Sequence, residues 1–463
     1  MTAELPDLQT TEAGRQYEKS VMMVLNGEKR DYPSYFGGLK IASGNEFKVV
    51  SPIDSSIVFG IFQEPEEGIM VEAVTAAVAA AKTWSEVPME ERAGYFEAPL
   101  ETIKARRMFY AASVTVSAGM VREDALAEVD ALIEIMSKAV EDGKSGARSR
   151  KPGVWAVLSA HNSPFASPVG FAVAAMIAGN PVVMCPSKYC PSPIYQFYSL
   201  MEKAGLPGGV LNLVVDRKDS STEELANDMR VAGVVATGSG ERLEDLMFLQ
   251  VDDELMFVNE IKGMNPALVY RPSDMKAAAR DIAESAFAYS GQRLYSCSKV
   301  IVTSDEQGRL MSALTEAVKD LTVGDPVDDT SFTGPLISDS ALKECSRLLS
   351  ENAGNVVVKS SPKRDVPDGP YAPLTVLTGL DDENELGFMD SGLPFLCVKV
   401  VENLDQALEE LEDTECGLSA GIFSKDAKAI ERFKESADVR LHYINKSSRS
   451  LLPGSEARVG RFM

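Results

Sequence analysis

The sequence predicts an α/β protein made of two lobes, each built on a parallel sheet covered by helices. Its 463 residues exceed what one hydrophobic core usually serves, so we expect two or three domains. Two separate series of short apolar runs alternate with helical stretches along the chain. This alternation is typical of β-α-β units, in which a helix connects neighbouring parallel strands.

The first series of strands follows two helices. Apolar residues recur at helical spacing from Val71 to Trp84, and again over a segment that contains Val129 and Val140. The short apolar runs after Pro152 predict four strands: Val154–Leu158, Pro181–Met184, Leu211–Val215 and Val234–Ala236. A helical stretch at Ile194–Ala204 lies between two of these runs, as the β-α-β pattern requires.

The second series begins near Glu260. Its predicted strands are Pro266–Tyr270 and Lys299–Val302, and its predicted helices are Met275–Tyr289, 307–320, 404–411 and 427–435. No low-complexity linker separates the two series, so residues 1–260 and 261–438 should form two closely joined lobes, followed by residues 439–463. Crevices between α/β lobes are common ligand sites, which makes this boundary the first place to look for function.

Charge and cysteine content exclude several functional classes. The net charge of −23 would repel nucleic acids and anionic membranes, so we exclude both as partners. The six cysteines lack the spacing of a metal centre, and we expect no bound metal. The N-terminal segment has no apolar core, and the chain has no 18-residue apolar run. We therefore expect a cytoplasmic protein with reduced thiols.

Several short segments, in order along the chain, resemble motifs of the aldehyde dehydrogenase superfamily. The segments are His161–Phe165, Gly179–Val183, Gly205–Asn212, Thr237–Ser239, Asn259–Pro266, Gly291–Gln292, Val323–Pro326, Gly334–Ser338, Gly417–Gly421 and Tyr443–Asn445. The segment Gly291–Lys299 is also similar to the pattern around the nucleophile of 1-pyrroline-5-carboxylate dehydrogenases, with Cys297 matching a second, non-catalytic cysteine. The resemblance implies two Rossmann-like lobes, with dinucleotide binding in residues 1–260 and catalysis in 261–438.

The resemblance also assigns catalytic roles. In this family a cysteine thiolate attacks the aldehyde, an asparagine amide stabilises the oxyanion and a glutamate activates water. Asn162 matches the asparagine and Glu260 matches the glutamate, whereas the nucleophile position falls on Leu294. Because an aliphatic side chain cannot form a thiohemiacetal, we expect ordinary dehydrogenase chemistry to fail.

The positions that would bind NAD or NADP are also altered. Pro186, Ser187 and Lys188 match part of a Lys-Pro-Ser-Glu motif, with Cys185 at the lysine position. Thr237, Gly238 and Ser239 match the start of a phosphate-binding turn, although Leu243 replaces a later glycine. Asp390 stands where a glutamate would bind the nicotinamide ribose, and Gly392 replaces a packing phenylalanine. We therefore expect weak or lost cofactor binding, and Lys188 favours NADP slightly.

Assembly and activity remain the open points. The resemblance implies a shortened oligomerisation hairpin near 141–151 and a truncated bridging tail at 439–463, which favours a homodimer. One hypothesis is an oxidoreductase acting on a small semialdehyde, such as glutamate semialdehyde. The second, which the chemistry favours, is a pseudoenzyme that binds a nucleotide, a small aldehyde or carboxylate, or a protein partner. Residual hydrolytic or hydratase activity using Glu260 is the weakest alternative.

Overall fold

Two seven-stranded sheets form the framework of the chain. The computed structural model describes residues 12–27, 30–145, 153–215, 217, 224–239, 255–381, 383–414 and 417–463. Each large sheet contains a parallel group of strands flanked by helices, and a three-stranded sheet lies near the N-terminus. The α/β class and the parallel-sheet, Rossmann-like lobes predicted from the sequence are confirmed.

The small sheet and the first large sheet are built from ten strands. The strands are β1 Arg30–Tyr32, β2 Ser34–Phe36, β3 Leu39–Ile41, β4 Glu46–Val50, β5 Val58–Gln63, β6 Val154–Ser159, β7 Val182–Cys185, β8 Leu211–Leu213, β9 Val231–Gly238 and β10 Met256–Ile261. The small sheet has the order β1-β5-β4, and the large sheet has the order β10-β9-β6-β7-β8-β2-β3. The five strands from β10 to β8 are parallel, and β2 and β3 extend this group in antiparallel fashion.

Eight helices lie wholly within the described residues of this half. They are α1 Glu12–Leu25, α2 Ile69–Trp84, α3 Met89–Gly94, α4 Glu97–Ala105, α5 Arg107–Ala118, α6 Arg122–Lys144, α7 Ala166–Ala178 and α8 Ser192–Lys203. Strand β6 is almost continuously apolar and buried because helices cover both faces of the sheet. Helix α7 is buried along its whole length, which explains why its sequence is apolar on every side.

The second large sheet contains the remaining seven strands. They are β11 Ala267–Val269, β12 Lys299–Thr303, β13 Val356–Ser360, β14 Leu374–Thr378, β15 Phe395–Val401, β16 Ser419–Phe423 and β17 Leu441–Ile444. Their order is β13-β14-β15-β12-β11-β16-β17, and only β13 is antiparallel to its neighbour. Strand β17 extends this sheet beyond residue 438, where the sequence pattern had placed the end of the second lobe.

Six helices and four 3₁₀ turns complete the second half. The helices are α9 Met275–Phe287, α10 Ser304–Asp320, α11 Asp339–Glu351, α12 Glu385–Phe388, α13 Leu404–Asp413 and α14 Ala427–Ser436, and the turns are Ala288–Gly291, Ala353–Asn355, Ser448–Ser450 and Val459–Phe462. Helix α9 begins where the Asp274 carboxylate accepts hydrogen bonds from two backbone N–H groups. The final turn packs on the first lobe, since Phe462 contacts Trp155 and accepts a hydrogen bond from Asn180.

Candidate active site

Three neighbouring strand ends bring the predicted site residues to one edge of the first sheet. Asn162 follows β6, Ser239 follows β9, and Glu260 lies one residue before the end of β10. Because these strands are parallel neighbours, their carboxyl ends meet at this edge. The loop Gly291–Ser298, which precedes β12, packs against the same edge through hydrogen bonds to Asn162 and Glu260. The site therefore lies between the two lobes.

Asn162 connects the lobes through its side-chain amide. Its Nδ2 donates to the backbone carbonyl of Gln292 at 2.7 Å, and its Oδ1 accepts from the backbone N–H and hydroxyl of Ser239. The residue is 3% exposed. One amide N–H is therefore engaged in holding the second-lobe loop, which leaves a single N–H for any oxyanion.

Glu260 is enclosed by donors from three parts of the chain. Its Oε2 accepts from the Ser167 hydroxyl at 2.5 Å, and its Oε1 accepts from the Tyr295 hydroxyl at 3.0 Å and the Gly454 N–H at 2.8 Å. Burial raises the pKa of this carboxyl above its ordinary value, and these hydrogen bonds oppose that shift. A carboxyl with three protein donors and 1% exposure is poorly placed to activate a water molecule.

Leu294 and Asn162 line the same cavity between the lobes, and this cavity is very small. Its volume is about 20 Å³, enough for about one water molecule. The complete lining is Met120, Asp124, Ala127, Glu128, Asn162, Arg293, Leu294, Tyr295 and Pro453. Leu294 is 2% exposed and packs with Tyr295 and Leu418 as part of an apolar cluster. Glu260 is not among the residues that line this cavity, but its hydrogen-bond donor Tyr295 is.

Buried charges surround the cavity on the side of α6. Arg293 donates to the backbone carbonyls of Arg449 and Leu451, and its guanidinium lies 3.8 Å from Asp124. Glu128 accepts hydrogen bonds from the Ser163 hydroxyl and from two backbone N–H groups at the start of α7. Burial raises the pKa of Glu128 and lowers that of Arg293. Arg293 therefore links the second-lobe loop to Asp124 on α6, whereas Glu128 stabilises the start of α7 within the first lobe.

The segment after β17 closes the remaining side of the cavity. Pro453 lines it, and the next residue, Gly454, donates to Glu260. Gly454 has a φ of 70°, and a Cβ at this position would lie 2.6 Å from Ile135 Cδ1. Only glycine fits this close approach without displacing the segment. The C-terminal segment therefore fills part of the space between the lobes.

Cys297 is the cysteine nearest to Leu294 in sequence, and its thiol is buried. It is 1% exposed, and its Sγ contacts the backbone carbonyl of Lys299 at 3.2 Å. Burial raises the pKa of this thiol to about 12, so the thiolate form that attacks aldehydes is not populated near neutral pH. Cys297 is consequently a packing residue and not a substitute nucleophile.

The residues matched to the adenosine end of a dinucleotide follow β7. Ser187 is buried, and its hydroxyl accepts a hydrogen bond from the Tyr189 N–H. Lys188 donates to the backbone carbonyl of Arg217 and lies over the Tyr189 ring. Pro186 lies between them and the buried Cys185. Lys188 is thus held at the rim of the sheet by contacts within the chain.

The residues matched to the phosphate-binding turn end β9. Thr237 is buried, and Gly238 has a φ of 123°, with the position of a Cβ only 2.3 Å from Ala160 Cβ. The N–H of Ser239 and its hydroxyl both donate to Asn162 Oδ1, at 2.9 and 3.2 Å. These two donors are therefore already used, although phosphate recognition would require them. The replaced glycine position, Leu243, lies outside the described residues.

Asp390, matched to the residue that binds the nicotinamide ribose, is bound by the chain itself. It forms an ion pair with Lys262 and accepts a hydrogen bond from the Ser298 hydroxyl. The side chains of Lys262 and Asp390 are 0% and 6% exposed. A ribose would have to displace these contacts to reach the carboxylate. Ser239 and Asp390, both matched to cofactor contacts, therefore have partners within the chain.

Comparisons with known proteins agree with this geometry. Residues 40–455 match the model of the aldehyde dehydrogenase family. The chain belongs to the aldehyde dehydrogenase family. It is 26% identical to 1-pyrroline-5-carboxylate dehydrogenase from Geobacillus sp. over 96% of this chain and 91% of that protein.

Solved structures of aldehyde dehydrogenases and related proteins share the fold. Proline utilization A from Bdellovibrio bacteriovorus, inactivated by N-propargylglycine, matches with a TM-score of 0.92 and 22% identity over the whole chain, which spans 52% of that longer protein. The 1-pyrroline-5-carboxylate dehydrogenase from Thermus with bound NAD matches with a TM-score of 0.90 and 20% identity, covering 100% of this chain and 97% of that one. At these identities the likeness establishes the fold.

The sequence analysis did not identify Lys262, Tyr295 and Gly454 as residues of this site. All three make their contacts between parts of the chain that are distant in sequence. The buried acids Asp124 and Glu128 did leave a signal in the sequence. Two acids four residues apart on an otherwise apolar helix face indicate buried partners. Lys262 gave a weaker signal, as a lysine between a strand and a Gly-Met-Asn-Pro turn.

Among the described residues, no helix is both long enough and apolar enough to span a bilayer. Within that part of the chain there is also no group of three or more histidine, cysteine or acidic side chains placed to hold a metal ion.

Proposed function

We propose that this chain is an aldehyde dehydrogenase family member that has lost dehydrogenase activity. Its ancestor would be an NAD(P)-dependent dehydrogenase of a small semialdehyde, in the 1-pyrroline-5-carboxylate dehydrogenase branch. The observation that carries this proposal is Leu294, an aliphatic residue at the nucleophile position, in a cavity of about 20 Å³. The nucleophile is therefore missing, and the described cavity beside Leu294 is too small for a substrate.

The chemical argument concerns the covalent step. Family chemistry requires a thiolate that adds to the aldehyde carbon, and such an intermediate divides a difficult reaction into two easier ones. Leu294 has no acidic proton and no lone pair, while the pKa of Cys297 is raised to about 12 by burial. Loss of a catalytic nucleophile typically costs several powers of ten in rate. Neither side chain can replace the missing group.

The groups that should assist the nucleophile also have other partners. Asn162 uses one amide N–H on the Gln292 carbonyl, and Glu260 accepts three hydrogen bonds from the protein. In an active site these groups would have to be available to the oxyanion and to a water molecule. Here they instead hold the second-lobe loop and the C-terminal segment against the first sheet, which supports a structural role for both.

Weak or lost NAD(P) binding is the second part of the proposal. It is supported by the Lys262–Asp390 ion pair and by the two hydrogen bonds from Ser239 to Asn162. Each contact would have to break before a nucleotide could use the same groups. Lys188 would still favour the 2′-phosphate of NADP over a hydroxyl, so any residual binding should prefer NADP.

The proposed descent from a semialdehyde dehydrogenase is supported by the activities of similar proteins. Several proteins that match nearly the whole chain are 1-pyrroline-5-carboxylate dehydrogenases, at 24% to 26% identity. The alternative function is a silent member that binds a metabolite, a nucleotide or a protein partner. A homodimer is our proposed assembly, because the segment between α6 and β6 is too short for the family hairpin.

Calorimetry and an absorbance assay together test the proposal. Titration of the purified chain with NAD, NADP and NADPH should show no binding, or only weak binding with a preference for NADP. An assay of NAD(P)H formation with glutamate semialdehyde and simple aldehydes should show no turnover, with a 1-pyrroline-5-carboxylate dehydrogenase as the positive control. Sustained turnover that disappears in Glu260→Ala would overturn the proposal, since it would require a route without a nucleophile at position 294.

A further inference from the structure

A second cavity lies outside the space between the lobes. It is bordered by helices α1, α5 and α8 and by strand β5, and its volume is about 400 Å³. This is some twentyfold more than the cavity at Leu294, whose volume is about 20 Å³. Sites for small molecules usually have volumes of about 300–1,000 Å³. The larger cavity is therefore of a size to hold an organic ligand, which the space beside Leu294 is not.

Much of the cavity wall is apolar. Aromatic side chains contribute Tyr32, Phe59, Phe109 and Tyr110, and aliphatic side chains extend the same surface. Met23 and Leu25 on α1 line the opening and are 52% and 38% exposed. Exposed apolar side chains at the mouth of a cavity gain free energy when a ligand covers them. The body of a ligand here should be hydrophobic.

The charged groups at this cavity are two cations. Arg106 and Lys203 line it, and no aspartate or glutamate is among its described lining residues. Neither cation forms an ion pair with a described residue, and the guanidinium of Arg106 lies 4.2 Å from the centre of the Phe109 ring. In a chain with a net charge of −23, two cations at one opening without an ion-pair partner among the described residues produce a local field that attracts anions.

Other polar groups along the wall are hydroxyls and one amide, which can donate or accept hydrogen bonds. The hydroxyls of Ser192 and Ser199, on the face of α8 that lines the cavity, have no partner among the described residues. Gln196 lies between them and donates to the Ser113 hydroxyl at 2.6 Å, while its own carbonyl oxygen is buried without a donor. Such an unsatisfied group is costly unless a further molecule completes the network. This amide oxygen needs a hydrogen-bond donor, which a water molecule beside the ligand can supply.

A cavity in the second lobe provides a contrast. It has a volume of about 500 Å³ and is lined by Lys299 and Lys399, yet both lysines are paired with Glu410. Asp381 and Asp413 also line it, so its charge is balanced or negative. Size is therefore similar in the two cavities, and the combination of unpaired cations with an apolar wall distinguishes the one beside α8.

We propose that the cavity between α1, α5 and α8 binds an organic carboxylate with an apolar body. The carboxylate contacts Arg106 and Lys203, the apolar body lies against Phe59, Phe109 and the adjoining side chains, and the α8 hydroxyls donate to polar atoms of the ligand. Charge-assisted hydrogen bonds to the carboxylate supply specificity, and burial of the apolar body supplies most of the affinity. This site is independent of the dehydrogenase chemistry that position 294 would have supported.

The test uses 4-phenylbutyrate as the probe and 4-phenylbutanol as its uncharged counterpart. Calorimetric titration of the full chain at low salt should show saturable binding of the carboxylate and much weaker binding of the alcohol. The double variant Arg106→Gln/Lys203→Gln should weaken carboxylate binding by about tenfold or more, because two charge-assisted contacts are lost. The variant Ser199→Trp, which fills the cavity from α8, should abolish binding.

Lys104→Gln is the matched control, since Lys104 lies next to this region on α4 but pairs with Glu101 and does not line the cavity. It should bind the probe within about twofold of the wild type, because long-range charge effects are screened. The charge variants are at exposed positions and should fold normally, as thermal unfolding will verify. No carboxylate binding at about 10 mM probe, equal binding of the alcohol, or equal losses in Lys104→Gln and the double variant would each overturn the proposal.

Discussion

The ammonium group of Lys262 and the carboxylate of Asp390 form a buried ion pair between the two lobes. Lys262 follows β10 of the first sheet, and Asp390 precedes β15 of the second. The Ser298 hydroxyl donates to the same carboxylate. A family resemblance assigns Asp390 to a cofactor ribose, but here its partner is a lysine of the same chain. The ion pair therefore joins the end of β10 in the first lobe to the segment before β15 in the second.

Breaking this pair from either side should destabilise the chain. Lys262→Met leaves a buried carboxylate without its counter-charge, and Asp390→Leu leaves a buried ammonium, so each should cost about 3 kcal/mol or more. The double variant should cost much less than the sum, because no buried charge remains. Urea unfolding monitored by tryptophan fluorescence measures all three. Additive losses would contradict a direct interaction, and Lys276→Met, which breaks an exposed pair with Glu316, is the control.

Gly454 should be far less tolerant of substitution than another glycine nearby. Gly454→Ala forces a Cβ onto Ile135 at a φ of 70° and should cost about 2–4 kcal/mol through overpacking and backbone strain. Gly460→Ala is the control, since a Cβ there has no atom within 4 Å. Thermal unfolding should show a clear loss for the first variant only. Similar melting temperatures would indicate that the C-terminal segment is not closely packed on α6.

The buried carboxyl of Glu260 should make stability depend on pH in a defined direction. Burial raises its pKa in the folded state, so between its ordinary value and this raised value the folded chain retains a proton that the unfolded chain releases. The free energy of unfolding should therefore fall as the pH rises through that window, and increase as the pH is lowered through it. Many other carboxyls titrate in this range, so the wild type must be compared with Glu260→Gln, in which this contribution is absent.

The measurement is the free energy of unfolding between about pH 4 and 8, where the difference between the two proteins is the informative quantity. The advantage of the wild type over Glu260→Gln should shrink as the pH rises and level off above the raised pKa. A difference that stays constant across the range would mean that Glu260 titrates at its ordinary value. A difference that grows with pH would show a lowered pKa and would contradict burial as the dominant cause.

The sequence predicted which residues meet at this site better than it predicted the contacts that those residues form. Asn162 and Glu260 were assigned from the family resemblance, and the structure brings both to the edge where the parallel strands β6, β9 and β10 end. The pairing of Lys262 with Asp390 could not be predicted, since the two residues are 128 positions apart (390 − 262) and neither occurs in a local pattern. The same holds for Gly454, whose role depends on a close approach to α6.

The bounds of strands and helices were likewise predicted well in some places and not in others. The apolar run at Lys299–Val302 predicted β12 to within one residue, because both faces of that strand are buried. Helix α9 ends at Phe287, two residues before the predicted end, since Tyr289 adopts a positive φ of 51° in the turn that follows. Strand β17 was not predicted, because His442 interrupts its apolar residues and leaves no continuous apolar run.

Assembly should differ from that of family members with an intersubunit sheet. Helix α6 ends at Lys144 and β6 begins at Val154, which leaves too few residues for the family hairpin, although residues 146–152 lie outside the described ranges. We expect a homodimer, and light scattering coupled to size exclusion measures the mass directly. A monomer would refute the dimer but not the missing sheet. A tetramer built through a shared β-sheet would refute both expectations.

The final prediction is that Leu294→Cys will not by itself restore aldehyde oxidation. A thiol at this position would lie in a cavity of about 20 Å³, beneath Pro453 and beside Tyr295, and would meet neither an aldehyde nor a nucleotide. Reacting atoms must approach to about 3–3.5 Å in the correct orientation before chemical catalysis can occur. The measurement is NAD(P)H formation with glutamate semialdehyde and simple aldehydes, for the wild type and for this variant.

Further substitutions in Leu294→Cys should show whether the altered cofactor residues or the ion pair at Asp390 prevents activity. Adding Cys185→Lys and Gly392→Phe to Leu294→Cys restores residues that the family resemblance assigns to the cofactor, although Phe at 392 must adopt a φ of 64° and will introduce strain. Adding Lys262→Gly instead removes the cation that occupies Asp390. If occupancy of Asp390 is the main obstacle, the Lys262 combination should gain nucleotide binding by calorimetry before it gains any turnover, because the aldehyde still lacks space. Robust oxidation by the single Leu294→Cys variant would show that the lobes open enough in solution to admit both molecules, and that position 294 alone separates this chain from an active dehydrogenase.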